Sequence, residues 1–538
     1  MVIELIRSKA KNENYSRPSK GQASADAIPI LIDDTYHLFH LTTPPYTVHH
    51  PPRLRSSWLR IRSTDLESWT RDSVHAIAPG SHPQDPDADG AWTGSALIGP
   101  DGNLQIFYTG YNLAHGGRQI ILRALGSDRH GSKFRKLAEP LFIDPKTSAR
   151  GAFEDIDFRD AYVFFNEQVS EYWMIVGTRL SNGPRWTRGC LALLTSLDLE
   201  KWTLHREPLY APNDMYCPEC PELFSLPNGK WYLFYSRFAS PDAGTVYRIA
   251  DSPYGPFRVP RDGSHGRLDG RRWYAAKSCP KAGDPSKRIF FGWTGDYNVE
   301  DGKWLWGGDM ALPRQVSANL DHTLRMDPLE KSTKICTNLL DDLNGLGGSS
   351  TLELAAIGTT KTHPLRSCHG AETSMNYLEF SIEKCEAASF GILFCYDSDM
   401  RGHKIFFVPD TNETLTLILR TDLPPLDDFW ADQYSLHLPR GVDGPDIVRH
   451  DHVKIQGQAQ LFMEGDLLHF FFGGRAMTYR MPPRKGGVTA QSSEGIRNGE
   501  MNGVTRADSG RKQDHCSETT FAFFVEDGEV SLSNIRFR

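Results

Sequence analysis

A short aromatic and aliphatic segment of strand character recurs five times: 36–40 (YHLFH), 104–108 (LQIFY), 172–176 (YWMIV), 231–235 (WYLFY) and 288–293 (RIFFGW). The copies follow one another at roughly 60–70 residues, so each must belong to a unit larger than a hairpin. A second element keeps the same phase: 63–70 (STDLESWT) and 196–203 (SLDLEKWT), with weaker echoes at 127–137 and 250–258. In each, Ser, Asp, Gly or Pro makes a turn, and a Trp or Phe follows to pack between sheets. Such a double repeat predicts an all-β fold, a five-bladed β-propeller over residues 23–325 preceded by an N-terminal extension, 1–22. In that architecture the inner strands end around one central channel.

After Pro313-Arg314 the pattern changes. Residues 377–382, 390–396, 404–408, 415–419, 460–463, 467–472 and 521–525 read as short strands, with Gly465-Asp466 and Asp527-Gly528 as hairpin turns. This predicts a C-terminal β-sandwich over 326–538. Residues 485–518 are rich in Gly, Ser and Asn and almost free of aromatics, the composition of a surface insertion. A chain of 538 residues is in any case too long for one core.

A net charge of −7 supplies no basic field for nucleic acid or anionic lipid, which points to a small neutral partner. No apolar run is long enough to span a membrane, and no apolar segment with a cleavage site follows the amino terminus. The nine cysteines are scattered and odd in number, a usage that fits reduced thiols and a cytoplasmic location. Cys217 and Cys220 form a CxxC without a second pair or a close His pair, so they read as packing residues. No metal and no cofactor is expected. The oligomeric state is left open, a homodimer among the options.

Three carboxylates stand at matching places, each at or near the edge of a predicted inner strand. Asp26 lies in SADAIP, Asp160 in DFRDA, and Glu219 in MYCPECPELF, where Pro218 and Pro221 stiffen the backbone around it. Radial symmetry would bring all three into one funnel. Glycoside hydrolysis uses such a set, one carboxylate attacking the anomeric carbon and another protonating the leaving oxygen.

The segment Glu219–Phe224 (ECPELF) resembles the acid/base motif of glycoside hydrolase family 32, the β-fructofuranosidases, and Arg159-Asp160 resembles that family's Arg-Asp-Pro. Residues 91–96 (AWTGSA) followed by 107–110 (FYTG) are similar to its Trp-Ser-Gly-Ser block and the strand after it. Residues 63–69, 269–277 (DGRRWYAAK), 306–308 and 312–314 fit in order, so the likeness covers most of 24–316. The resemblance implies a five-bladed propeller followed by a sandwich, and a retaining hydrolase of β-D-fructofuranosides such as sucrose or fructo-oligosaccharides, with fructosyl transfer as a variant. It also implies Asp26 as nucleophile, Glu219 as general acid/base and Asp160 as the group that grips fructose hydroxyls and stabilises the transition state. Arg159, Trp92, Ser95 and Lys277 would then serve the fructose subsite, with Trp58 near its rim. The family usually reads Asn-Asp-Pro-Asn-Gly around its nucleophile; here the segment is Ala25-Asp26-Ala27-Ile28-Pro29. That departure keeps two alternatives in view: a related furanosidase acting on arabinosides or xylosides, and a sugar-binding propeller without turnover.

Overall fold

The structure, a computed structural model, describes residues 13–18, 21–45, 47, 55–238, 243–298, 302–330, 351–365, 375–422, 446–482 and 520–537. Among the described residues, apart from a helical turn, Glu13–Ser16, and two 3-10 turns, the regular elements are strands. Antiparallel sets pair in chain order. Ser24–Ile32, Thr35–Thr42, Ser57–Ser63 and Thr70–Arg71 make the first. Gly90–Ile98, Leu104–Tyr111, Gln119–Gly126 and Phe134–Lys136 make the next. Phe153–Asn166, Glu171–Leu180, Gly189–Ser196 and Lys201–Leu204 follow, then Glu219–Ser225, Trp231–Arg237 and Gly244–Ala250. The set built on Tyr274–Lys281, Asp284–Asn298, Arg314–Ala318 and Leu324–Pro328 joins the first through Lys303–Met310, whose Gly308 pairs with Ser24. First and last sets thereby close into one nine-stranded sheet.

The sequence repeats have a physical basis in their turns. Ser63 Oγ accepts from Leu66 N at 2.8 Å, Asp65 Oδ1 accepts from Ser68 N at 2.8 Å, and Trp69 Nε1 donates to Leu66 O at 3.2 Å. Ser196, Asp198, Leu199 and Trp202 repeat the set at 2.9, 3.0 and 3.1 Å, and both leucines sit at positive φ, 65° and 66°. The short polar side chains satisfy the turn amides and so aim each indole into the layer between sheets. Asp33 and Asp34 form a two-residue hairpin turn, both at positive φ (47° and 60°), as the primed turn of a tight hairpin demands.

The C-terminal strands form a ten-stranded sheet that folds over on itself. Its pivot is the 17-residue strand Phe521–Phe537. The first half pairs with Ser389–Phe394, the second with Met375–Cys385, and Leu352–Leu365 runs along both. Asp527-Gly528, expected as a hairpin turn, is instead a bend inside this strand, with positive φ at both residues (44° and 116°). A bulge there lets one strand pass from one layer to the other, which makes the sandwich corner. Phe407 from one layer packs against Phe470 and Phe472 from the other at 5.9 and 5.6 Å between ring centres. Three strands escaped the sequence reading: Leu352–Leu365, Asp446–Lys454 and Arg475–Arg480. The predicted insertion at 485–518 lies outside the described residues.

Polar contacts lock the sandwich to the sheets before it. Arg314, fully buried, pairs with Asp269, and its NH2 donates to Thr478 Oγ1 at 3.0 Å. Asp269 also accepts from Thr478 N at 2.8 Å. Removing either charge alone would leave the other buried and uncompensated, which costs several kcal/mol. Part of the expected extension docks as well: Tyr15 OH donates to Ala311 O at 2.6 Å, and Arg17 pairs with Asp296 and Asp309.

Candidate active site

The first strand of every N-terminal set carries a β-bulge at the same height. Register slips by one residue between Ala25 and Ala27, Trp92 and Gly94, Arg159 and Tyr162, Glu219 and Glu222, and Tyr274 and Lys277. A bulge leaves a residue unpaired and turns its neighbours out of the ladder, so side chains that would face a sheet are aimed at the axis instead. Asp26, Asp160, Cys220 and Ala275 hold positive φ there (25°, 60°, 50° and 47°), a conformation that costs each non-glycine residue about 1–3 kcal/mol. In the second set Gly94 relieves the crowding, since a Cβ there would fall 1.8 Å from Phe107 O.

The re-aimed residues meet in one pocket. Asp26, Leu41, Trp92, Thr93, Asp160, Glu219, Cys220, Tyr274 and Trp306 line it. Hydrogen bonds join the bulges around the axis. Thr93 Oγ1 donates to Asp26 Oδ2 at 2.5 Å, and Thr109 Oγ1 accepts from Asp160 N at 2.9 Å. Cys220 N donates to Asp160 Oδ2 at 2.9 Å, Tyr274 OH to Glu219 Oε2 at 2.5 Å, and Trp293 Nε1 to Asp26 Oδ1 at 2.9 Å. Each carboxylate is thereby oriented by a strand other than its own.

The three carboxylates have different surroundings. Asp26 is partly exposed and accepts from Thr93 and Trp293, which fixes its carboxylate while leaving it within reach of a ligand. Glu219 is buried and takes an Arg159 N–H at 2.9 Å on Oε1. Asp160 is raised above the usual carboxylate range by burial and, against the pull of Arg159, by the charge of Glu219. Arg159 is itself held by Asp157 and Gln119 at 2.8 and 3.1 Å, so it serves as a fixed counter-charge behind Glu219. Burial pushes the Cys217 and Cys220 thiols upward, and both remain neutral. Cys220 Sγ lies 3.9 Å from Asp26 Oδ2 and 3.8 Å from Asp160 Oδ2, so it fills the space between two anions without adding charge.

Not every residue expected in the subsite reaches it. Trp92 lines the pocket and stacks on Tyr111 at 4.1 Å between ring centres. Trp58, expected near the rim, is fully buried and donates its indole N–H to Trp92 O at 3.1 Å, a prop beneath the wall. Ser95 Oγ accepts from Val163 N at 2.9 Å and ties neighbouring sets together. Lys277 Nζ donates to Gly94 O at 2.7 Å, and its charge acts on Asp160 and Cys220 in the pocket wall. Arg159 acts through Glu219 from behind. Thr93, Tyr274, Trp293, Leu41 and Trp306 are functional-site residues that received no role from the sequence. Their signal was there in part: each ends or follows a repeat strand, or lies in a motif already marked. Among the described residues no cluster of three or more His, Cys, Asp or Glu could hold a metal, and no helix is long and apolar enough to cross a membrane.

Residues 18–328 match the family described as "Glycosyl hydrolases family 32 N-terminal domain". The chain belongs to glycoside hydrolase family 32. Among its family 32 relatives, the cell wall β-fructofuranosidase of Zea mays is 29% identical over 316 residues, 54% of this chain and 50% of the relative. The raffinose invertase of Escherichia coli is 27% identical over 303 residues, 53% of this chain and 58% of that protein. The matched region thus spans about half the length of the curated relatives. By fold, this family 32 chain is similar to fructan 1-exohydrolase IIa from Cichorium intybus, with TM-score 0.64, 17% identity and 97% of each chain covered. It is similar as well to an exo-inulinase from Aspergillus awamori, with TM-score 0.65, 18% identity and 97% of each chain covered. The all-β architecture is a β-propeller joined to a β-sandwich.

Proposed function

We propose that this protein is a retaining β-D-fructofuranosidase whose chemistry runs on Asp26, Asp160 and Glu219. The observation that carries the reading is the meeting of these three side chains in one pocket, each from a separate bulged strand. Asp26 attacks C2 of the fructosyl ring while Glu219 protonates the departing glycosidic oxygen. Asp26 and C2 are then joined by an ester; Glu219, now ionised beside Arg159, takes a proton from water or an acceptor hydroxyl whose oxygen attacks C2 and displaces Asp26, releasing fructose or a transfer product. Asp160 accepts hydrogen bonds from ring hydroxyls, and its burial makes those bonds strong as positive charge grows at C2.

The altered nucleophile segment does not argue for a silent site. The family's two amide side chains are missing around Asp26, yet Thr93 and Trp293 hold both of its oxygens. The domain plan belongs to the same proposal: a five-bladed propeller over 23–325 and a sandwich over 326–538. A cytoplasmic location is part of it too, supported by the free thiols of Cys190, Cys217, Cys220, Cys279, Cys385 and Cys395.

The substrates are sucrose or fructo-oligosaccharides, a choice supported by what the relatives are named for. A release assay over sucrose, inulin, levan, short fructo-oligosaccharides, arabinosides and xylosides tests this. Fructose should appear from a fructoside, Asp26→Asn should abolish it, and Glu219→Gln should lower turnover by about 10²–10⁴-fold. Sugar binding without release, unchanged by Asp26→Asn, would favour the non-catalytic alternative. Pentose release would favour the furanosidase alternative.

A further inference from the structure

Beside the pocket, on the Glu219 side, an aromatic strip reaches the surface with no role in the chemistry above. Tyr216 lies three residues before Glu219, and its hydroxyl contacts Asp157 Oδ2 at 3.4 Å, the same carboxylate that holds Arg159. Trp186 packs at 5.2 Å from Tyr216, and Phe238 at 5.9 Å on another side. Trp186 is 60% exposed, an unusual state for an indole unless something is meant to cover it.

The strip is built to keep its shape. Arg179 lies 4.2 Å over the Tyr216 ring and is held by Asp157 at 3.0 Å and by Glu154. The loop 181–188 that carries Trp186 is closed by Leu180 N donating to Arg188 O at 2.9 Å, and Arg188 is tied to Glu154 and to Ser181 O. Arg185 sits 5.5 Å from the Trp186 ring, beside the strip. Flat aromatic faces next to fixed guanidinium and phenol donors are the two things a sugar ring asks for: a surface for its C–H face and partners for its hydroxyls.

We infer that Trp186, with Tyr216 and Phe238, is a platform for the sugar beyond the scissile bond on the leaving-group side, and that it selects fructo-oligosaccharides over sucrose. The placement follows from Glu219, because the residue that protonates the leaving group marks the side on which that group sits. Tyr216 is tied to Glu219 through Asp157 and Arg159, so it serves the unit next to the bond. Trp186 lies farther out and serves the unit after that. A disaccharide ends before reaching it. The inference rests on the fructosidase reading above, and its test is separable from it.

Calorimetric titration of Glu219→Gln with an inulin-type tetrasaccharide and with sucrose reads the platform without turnover. Adding Trp186→Ala should weaken tetrasaccharide binding about 10-fold relative to sucrose, with Trp186→Phe restoring most of it. In the active enzyme the same change should lower the ratio of kcat/KM for tetrasaccharide to that for sucrose by a similar factor, mainly through KM. Equal effects on both sugars, or none on either, would overturn the platform. Absence of fructose release by wild type would sink the fructosidase reading, while the titration would still decide whether Trp186 binds sugar.

Discussion

The phenol of Tyr274 donates to Glu219 Oε2 at 2.5 Å while Arg159 donates to Oε1 at 2.9 Å. The two donors come from different strand sets, so the orientation of Glu219, the proposed acid, is set by strands on either side of its own. Tyr274 is buried, and once Glu219 has given up its proton a hydrogen bond to the resulting carboxylate is worth about 1.5–3 kcal/mol. Tyr274→Phe keeps the ring's packing and removes only the donor. It should lower kcat about 10–100-fold with little change in KM, as steady-state assays on sucrose would read. An unchanged kcat would mean that Arg159 alone positions Glu219.

Thr93 supports Asp26, the proposed nucleophile, in the same manner, through its hydroxyl on Oδ2. Thr93→Val is nearly isosteric but cannot donate. The variant should keep its thermal midpoint and lose about 10-fold or more in kcat/KM. A Thr93→Ser variant, which retains the hydroxyl, should recover most of the loss.

Asp160 trades stability for function. Its folded pKa is raised by burial and by Glu219, so the folded chain holds a proton that the unfolded chain releases at lower pH. The group therefore costs stability as pH rises above its unfolded value, a cost that is complete once pH has passed its folded value. Asn tolerates the positive φ of 60° at this position and can still accept from Cys220 N. Asp160→Asn should thus raise Tm at neutral pH while cutting kcat by about 10²–10³-fold. A lowered Tm would contradict the assignment of strain to the charge.

Histidines set an acid limit. His40 is buried with its Nδ1–H donating to Leu41 O at 3.0 Å and its Nε2 accepting from Arg71 at 2.8 Å, which uses both nitrogens of the neutral ring. Burial, then the Arg71 charge, lowers its pKa to about 3, and His450 falls to about 4 by burial and Arg475. Unfolded histidines protonate near pH 6.5, so this stability is complete above that value and is lost as pH falls toward the folded values. Tm should decline between about pH 6.5 and 4, and His40→Gln should show a shallower decline. Equal slopes in calorimetry would place the acid sensitivity elsewhere.

The architecture was legible because its turns repeat chemically. Ser63, Asp65 and Trp69 reappear as Ser196, Asp198 and Trp202, and identical hydrogen bonds follow from identical side chains. The carboxylates were legible because each sits beside a strand of the repeat. The bulges were not, since strands such as Gly90–Ile98 and Glu219–Ser225 are buried at nearly every residue and carry no alternation for an extra residue to interrupt. The sequence therefore did not show that Lys277 and Ser95, two residues expected in the subsite, also hold neighbouring backbone. Asp527-Gly528 misled for a related reason. The same positive φ values serve a hairpin or a strand that changes layers, and only the pairing of Phe521–Phe537 on both sides distinguishes them.

Asp26 is the proposed nucleophile opposite Glu219 in the pocket they share. Proton NMR of the sugar first released from sucrose, recorded before mutarotation, reads this directly. Two successive displacements at C2 predict β-D-fructofuranose as the first product, with no product from Asp26→Asn. An α-anomer, or fructose release that survives Asp26→Asn, would contradict it.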